Sequence, residues 1–351
     1  MAPRVLLVKM SSLGDVVHTL PAVTDLAATG AQIDWVVEEA FAPIAEAHPG
    51  VARVIPIAWR RWRKALPRFW DADGKEAREA LGDFRETLRG ERYDLVIDAQ
   101  GLYKSALVVA AAQAERKVGL DQESAREGGA ARFYTQTHSV ARDQHAVDRV
   151  RQLVAAAAGY ELPGNLDFGV PLLRASAGPG ARPRCLLLHG TTWDSKHYPE
   201  AQWAALARLA DADGYEVCAT WGNDEERERA RRLAEVAPVT LWERESLAEL
   251  MARLNSVSLV IGVDSGIAHL SAALSLPTLG LYGPTDAALT GIRGTRAASL
   301  SAAFACAPCL SRRCRYQGPL VRVAGSVARP PCFGSLTPSR VWTAAAALAE
   351  G

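Results

Sequence analysis

Short apolar runs that end in Gly-, Ser- or Asp-containing turns and lead into helical stretches occur twice over in this chain. That βα alternation restricts it to a parallel-sheet α/β architecture. In the first half, Arg4 to Val8, Ile33 to Val37, Arg53 to Ile57, Leu95 to Asp98 and Lys117 to Gly119 read as strands. Val16 to Ala28, Phe41 to Ala47, Lys75 to Gly90, Leu102 to Gln113 and Gln144 to Ala158 read as helices. The pattern then restarts, with strands at Cys185 to Leu188, Glu216 to Thr220, Val239 to Leu241, Leu259 to Val263 and Thr278 to Leu281. Its helices fall at Glu200 to Ala212, Asp224 to Val236, Leu247 to Asn255 and Ile267 to Leu274. Beyond Ser301 the pattern dissolves into Cys, Arg, Pro and Gly until a last helix, Pro338 to Glu350. The reading is two doubly wound halves facing across a cleft. A first domain spans 1–175, a linker of small residues and Pro 176–184, and a second domain 185–335. The terminal helix, 336–351, has a return to the first domain as one placement.

A chain of 351 residues exceeds the usual single core, so two domains of ordinary size are expected. Apolar residues make up 49% and charged ones 23%, with no apolar run long enough to span a bilayer, which suits a soluble globular protein. The start Met-Ala-Pro-Arg-Val-Leu-Leu lacks the features of a secretory signal, and the expected compartment is the cytoplasm. Forty basic and thirty-nine acidic residues nearly cancel, which argues against nucleic acid as a partner and leaves only local steering. One local patch stands out. No acid occurs between Glu46 and Asp71, where Arg53, Arg60, Arg61, Arg63, Lys64 and Arg68 crowd together with Trp59, Trp62, Phe69 and Trp70.

Three turns carry the chemistry. The first strand runs into Met10-Ser11-Ser12-Leu13-Gly14-Asp15, which sets a carboxylate at a helix start beyond the carboxyl end of a strand, where open α/β sheets bind ligands. An acid there can be a plain helix cap. The flanking Ser11, Ser12 and Gly14 add a polar mouth and close backbone approach, which suits a base for a hydroxyl attacking an oxocarbenium-like carbon. The second turn, Asp264-Ser265-Gly266, opens a helix whose amides suit a phosphate, with His269 one turn further on. Tyr282-Gly283-Pro284-Thr285-Asp286 follows another strand and can line the same pocket. The third, His189 to Pro199, offers Thr191, Thr192 and Lys196 to a diphosphate, and Trp221 to Glu226 offers an acid to sugar hydroxyls. The glycine patterns of dinucleotide oxidoreductases and P-loop enzymes are missing.

These stretches, together with Asp34 to Glu39, Arg60 to Lys64, Val96 to Leu102 and Trp221-Gly222, resemble the lipopolysaccharide heptosyltransferase I family over nearly the whole chain. The resemblance implies an inverting GT-B enzyme that moves L-glycero-D-manno-heptose from ADP-heptose to the Kdo of Kdo-lipid A at the cytoplasmic face of the inner membrane. It gives Asp15 the place of the general base. Ser12, Gly14, Thr191, Thr192, Lys196, Glu226, Glu245, Asp264, Ser265, Gly266 and His269 fall at donor positions, and Lys9, Arg60, Arg61, Arg63 and Lys64 on the acceptor side. Glu245 stands where some members have Met, and Ser265 where the family has Thr. No essential cofactor or metal is expected, because Lys196, His269 and the Gly266 helix start can carry the diphosphate charge.

Two other functions fit parts of the sequence. One is a later-acting heptosyltransferase of type II acceptor preference, whose relatives carry a Cys-x-Pro-Cys tail like Cys306-Ala-Pro-Cys309 with Cys314 and Cys332. The other is a non-catalytic nucleotide-sugar-binding protein of the membrane surface, which would need Lys196 and His269 but not Asp15. The tail cysteines are open to three readings from sequence: structural thiols, a metal site, or a disulfide. Cys185 and Cys218 lie in strands and read as core.

Overall fold

The structure is a computed structural model and describes residues 2–65, 71–170 and 181–350. The chain divides into two compact units, Met1–Pro171 and Leu172–Gly351. Most of the expected linker, and Arg68, Phe69 and Trp70 of the basic patch, lie outside the described residues.

The first unit runs β1 (Arg4–Val8), α1 (Leu13–Val17), α2 (Leu20–Ala27), β2 (Gln32–Glu38), α3 (Ala42–Glu46), β3 (Val51–Ile57) and α4 (Trp59–Ala65). It continues with α5 (Ala72–Arg89), β4 (Arg92–Asp98), α6 (Tyr103–Ala111), β5 (Gln113–Leu120), β6 (Gln136–His138) and α7 (Ala146–Ala158). Its sheet is parallel and ordered β3-β2-β1-β4-β5-β6. Strand order therefore reverses between β1 and β4, and the crevice beyond their carboxyl ends is the ligand position of this topology. The Ser11–Asp15 turn stands there.

The second unit repeats the plan with β7 (Arg184–Leu188), α8 (Glu200–Ala212), β8 (Glu216–Ala219), α9 (Asp224–Val236), β9 (Thr240–Leu241), α10 (Leu247–Leu254) and β10 (Leu259–Val263). Then come α11 (Gly266–Ala273), β11 (Thr278–Tyr282), α12 (Ala287–Thr290), β12 (Ala297–Ser301), a hairpin of β13 (Arg322–Val323) and β14 (Ser326–Val327), and α13 (Pro338–Glu350). The sheet order β12-β11-β10-β7-β8-β9 is again a doubly wound sheet, with its switch point between β7 and β10. β10 is apolar and buried throughout, and so is β7 from Cys185 onward, as central parallel strands must be on both faces. The last helix is built into this unit's own core: α13 packs on α8, β10 and β11, with Val341, Trp342 and Ala345 buried.

Two expectations change. The helix foreseen over Val16 to Ala28 is two helices, because Pro21 has no N–H to continue the first and instead sits in the opening turn of α2 behind Thr19. The stretch from Trp59 is a helix with an inside. Trp62 is buried edge-on to Phe84, with ring centroids 5.6 Å apart, so it belongs to the core and not to a membrane interface. β6 and β12 were not foreseen; both are edge strands with exposed positions, short or polar enough to lack an apolar run.

Candidate active site

At the first switch point the chain turns from β1 into the short helix α1. Asp15 occupies the third helical position and reaches back: its Oδ2 accepts from the Ser12 backbone N–H and from the Ser12 hydroxyl, each at 2.8 Å. The cap and the site are therefore the same side chain. Its other oxygen, Oδ1, lies 3.9 Å from Lys9 Nζ, and the side chain is 42% exposed. Lys9 itself is buried and donates to the Ala99 carbonyl at 2.8 Å. Burial pushes its ammonium down from the ordinary range, against the opposing pull of Asp15 and Asp98. It steadies the turn from beneath; it is too deep to meet a bulky anion.

Sequence reasoning missed the second wall of this turn. Gln100 Oε1 accepts from the Met10 N–H at 2.8 Å, and Lys104 Nζ donates to the Ser11 hydroxyl at 2.6 Å. Both follow β4, the strand beside β1, which was the available signal: the Asp98-Ala-Gln-Gly turn is the other lip of the same switch point. Asp98 shapes it by accepting from the Gln100 and Gly101 N–H groups at 2.8 and 3.0 Å. Burial pushes the Lys104 ammonium down as well.

At the second switch point Asp264 ends β10 and gathers three partners. Lys196 Nζ lies 2.7 Å from its Oδ2, the Thr285 hydroxyl donates to the same oxygen at 2.8 Å, and His269 Nε2 is 3.4 Å from Oδ1. Burial alone would raise this carboxyl, but the His269 hydrogen bond and the Lys196 ammonium outweigh it and hold it well below the usual carboxylate range. Thr191 is tied to the same strand end through the Asp264 carbonyl at 3.1 Å. Ser265 caps α11 by accepting from the Ala268 N–H at 3.4 Å, and Gly266 opens the helix. Lys196 also lies over the Trp193 ring, 4.5 Å from its centroid. Thr192 is exposed beside it. The arrangement is a buried anion held by a lysine and a histidine at a helix start, suited to exchange for an entering phosphate.

The remaining site candidates are placed as follows. Glu226, in the first turn of α9, accepts from the Gly222 N–H at 2.8 Å. A Cβ on Gly190 would stand 2.6 to 2.9 Å from the Glu226 carboxylate, so the glycine after β7 is what lets that acid lean across the neighbouring strand end. Glu245 is paired with Arg253 at 2.8 Å, and Arg253 lies over the Trp242 ring. Arg60, Arg61, Arg63 and Lys64 are exposed on α4. Arg61 is engaged by Glu39 and Glu76 at 3.2 and 3.1 Å, and the Arg60 backbone N–H caps onto buried Glu38 at 2.9 Å. Arg63 and Lys64 keep the outer face of that helix.

Cys306, Cys309, Cys314 and Cys332 are free thiols that line one cavity of about 490 Å³ with Ser195, Pro284 and Tyr316. Burial pushes the Cys332 thiol up to about 12. Among the described residues no group of three or more His, Cys, Asp or Glu side chains is disposed to hold a metal ion.

Two switch-point sites, one with a half-exposed carboxylate and one with a buried aspartate held by lysine, histidine and threonine, mark a doubly wound α/β protein with ligand positions beyond its strand ends. The family model for glycosyltransferase family 9 (heptosyltransferase) matches residues 81–319. The chain is 48% identical over 350 residues to lipopolysaccharide heptosyltransferase 1 of Pseudomonas aeruginosa, covering 97% of this chain and 96% of that protein. It is similar to the E. coli heptosyltransferase WaaC solved with ADP, at 43% identity and a TM-score of 0.77 over 86% of this chain and 93% of that one. The same enzyme with ADP-2-deoxy-2-fluoro heptose matches over the same shares at a TM-score of 0.74. The chain belongs to glycosyltransferase family 9, the heptosyltransferases. It is a glycosyltransferase of the GT-B class, built of two doubly wound parallel-sheet domains.

Proposed function

We propose that this glycosyltransferase moves L-glycero-D-manno-heptose from ADP-heptose to the Kdo of Kdo-lipid A, with inversion, at the cytoplasmic face of the inner membrane. The observation that carries the reading is the divided Asp15 carboxylate. Oδ2 is spent on the Ser12 cap, and Oδ1 of the half-exposed side chain lies 3.9 Å from Lys9 Nζ. A carboxylate can serve as the base where the acceptor hydroxyl loses its proton late. Its oxygen bonds the anomeric carbon as the bond to the β-phosphate breaks. The proton passes to Asp15, and ADP leaves with the electron pair. Lys196, His269, Ser265 and the N–H groups opening α11 receive the growing diphosphate charge, with Thr191 and Thr192 beside them. Glu226 faces sugar hydroxyls, and Arg63 and Lys64 meet the acidic acceptor.

Asp15→Ala should lower turnover about 10²–10⁴-fold while calorimetry shows ADP binding intact, because the base acts in the transition state. Near wild-type turnover would remove Asp15 from this role. The product is identified by mass spectrometry after incubating ADP-heptose with Kdo-lipid A. No divalent metal is needed where Lys196 and His269 supply the counter-charge. Activity should survive EDTA, and a loss restored by magnesium would refute this.

A further inference from the structure

Among the described residues, four large apolar side chains of the first unit are exposed, and three of them fall on one surface: Tyr103 at 51%, Leu107 at 50% and Phe133 at 37%. Tyr103 and Leu107 stand four residues apart on α6 and share a face. A 3-10 turn, Gly128–Phe133, packs against that helix and carries Phe133 at its end. Gly129 in this turn has no side chain because the Tyr103 hydroxyl occupies the place where a Cβ would be. Tyr103 thus ties helix and turn into one apolar surface.

The border of this surface is basic. Arg126 and Arg132 are exposed beside it, and Lys104 follows Tyr103 on the helix. Glu127 lies exposed between these cations, and its carboxylate is engaged by the Tyr103 N–H at 2.7 Å at the helix start. Aromatic and aliphatic side chains rimmed by arginine and lysine match the headgroup region of an anionic bilayer. The surface is also continuous with the proposed site, since Lys104 reaches the Ser11 hydroxyl at 2.6 Å in the turn that carries Asp15. We propose that the exposed face of α6 and the turn at 128–133 docks on an anionic phospholipid surface and so brings a lipid-linked acceptor to the Asp15 turn. This rests on the reading of the acceptor as Kdo-lipid A.

The test uses the full chain and its Leu107→Ser, Phe133→Ser double variant, whose changes lie at exposed positions outside the proposed chemistry. Wild type should float with vesicles of phosphatidylethanolamine and phosphatidylglycerol and much less with phosphatidylcholine alone. The double variant should bind the anionic vesicles at least about tenfold more weakly. KM for acceptor embedded in those vesicles should rise by a similar factor, while KM for the deacylated acceptor in solution stays unchanged. Unchanged flotation, or an unchanged KM for the embedded acceptor, overturns the proposal. So does self-association of the wild type that the double variant abolishes, which would give the surface to a second copy. A wild type that floats yet transfers to neither acceptor would refute the acceptor reading and leave the docking surface standing.

Discussion

Asp264 shows how much one buried carboxylate can be asked to hold. Its pKa lies below the unfolded value because Lys196, Thr285 and His269 all favour the charged form. A depressed folded pKa contributes stability that is fully present above the unfolded value, near 3.9, and is lost as the pH falls through it toward the folded value. The urea midpoint of wild type should therefore exceed that of Asp264→Asn at pH 5, and the margin should shrink as the pH falls below about 4. A margin that does not shrink below about pH 4 would show that the charged carboxylate contributes no such stability. Single residues of this kind were visible in the sequence because each follows an apolar strand in a short polar turn. Their partners were less so. Ser11 and Lys104 are 93 positions apart, and only the adjacency of β1 and β4 joins them. Gly190 gave no signal, since its purpose is the space it leaves for Glu226.

Among elements, those with sharp ends were read to the residue. β1, β10, α8, α9 and α13 each have a Gly, Pro, Asp or Asn at one boundary at least, interrupting a strong pattern. α4 escaped because its outward positions are Arg and Lys and its inward face is little more than Trp62. The pairing of α2 with α7 could not be foreseen either, for it rests on Arg151 and Asp25, a buried ion pair at 2.7 Å. Arg151 further donates to the carbonyls of Pro163 and Asn165, each at 2.8 Å, so one side chain fixes two helices and the loop that follows. Arg151→Met should cost about 3–5 kcal/mol in chemical denaturation, since it strands the Asp25 charge and two carbonyls. Asp25→Asn with Arg151→Met should recover part of that loss. A single variant within about 0.5 kcal/mol of wild type would mean that water already reaches the pair.

At the scale of the whole molecule the net charge is +1, too small to draw the enzyme to a polyanion. Any salt dependence must come from a local group, and Arg63 with Lys64 on α4 is one exposed candidate. Replacing both by Ser should raise KM for the acceptor and leave KM for the donor alone. The defect should reproduce what high ionic strength does to the unmodified enzyme, because exposed charges on a polyanion are screened within a Debye length of about 10 Å at 0.1 M salt. A double variant that binds acceptor normally at low salt would make α4 an ordinary solvated face. Among the described residues no helix is long and apolar enough to cross a membrane.

The Lys196–Asp264 pair has a bearing on turnover. A lysine waiting alone in an empty pocket would bind its first diphosphate tightly and be left stranded when the nucleotide tried to depart. Here the counter-ion is resident. If the diphosphate binds here as proposed, it would take over an ammonium that already has a neighbour and on leaving hand it back, so that the pocket need not hold a bare positive charge. On the proposed reading of this pocket, Asp264 competes with ADP as well as with the donor, which would ease departure of the spent nucleotide.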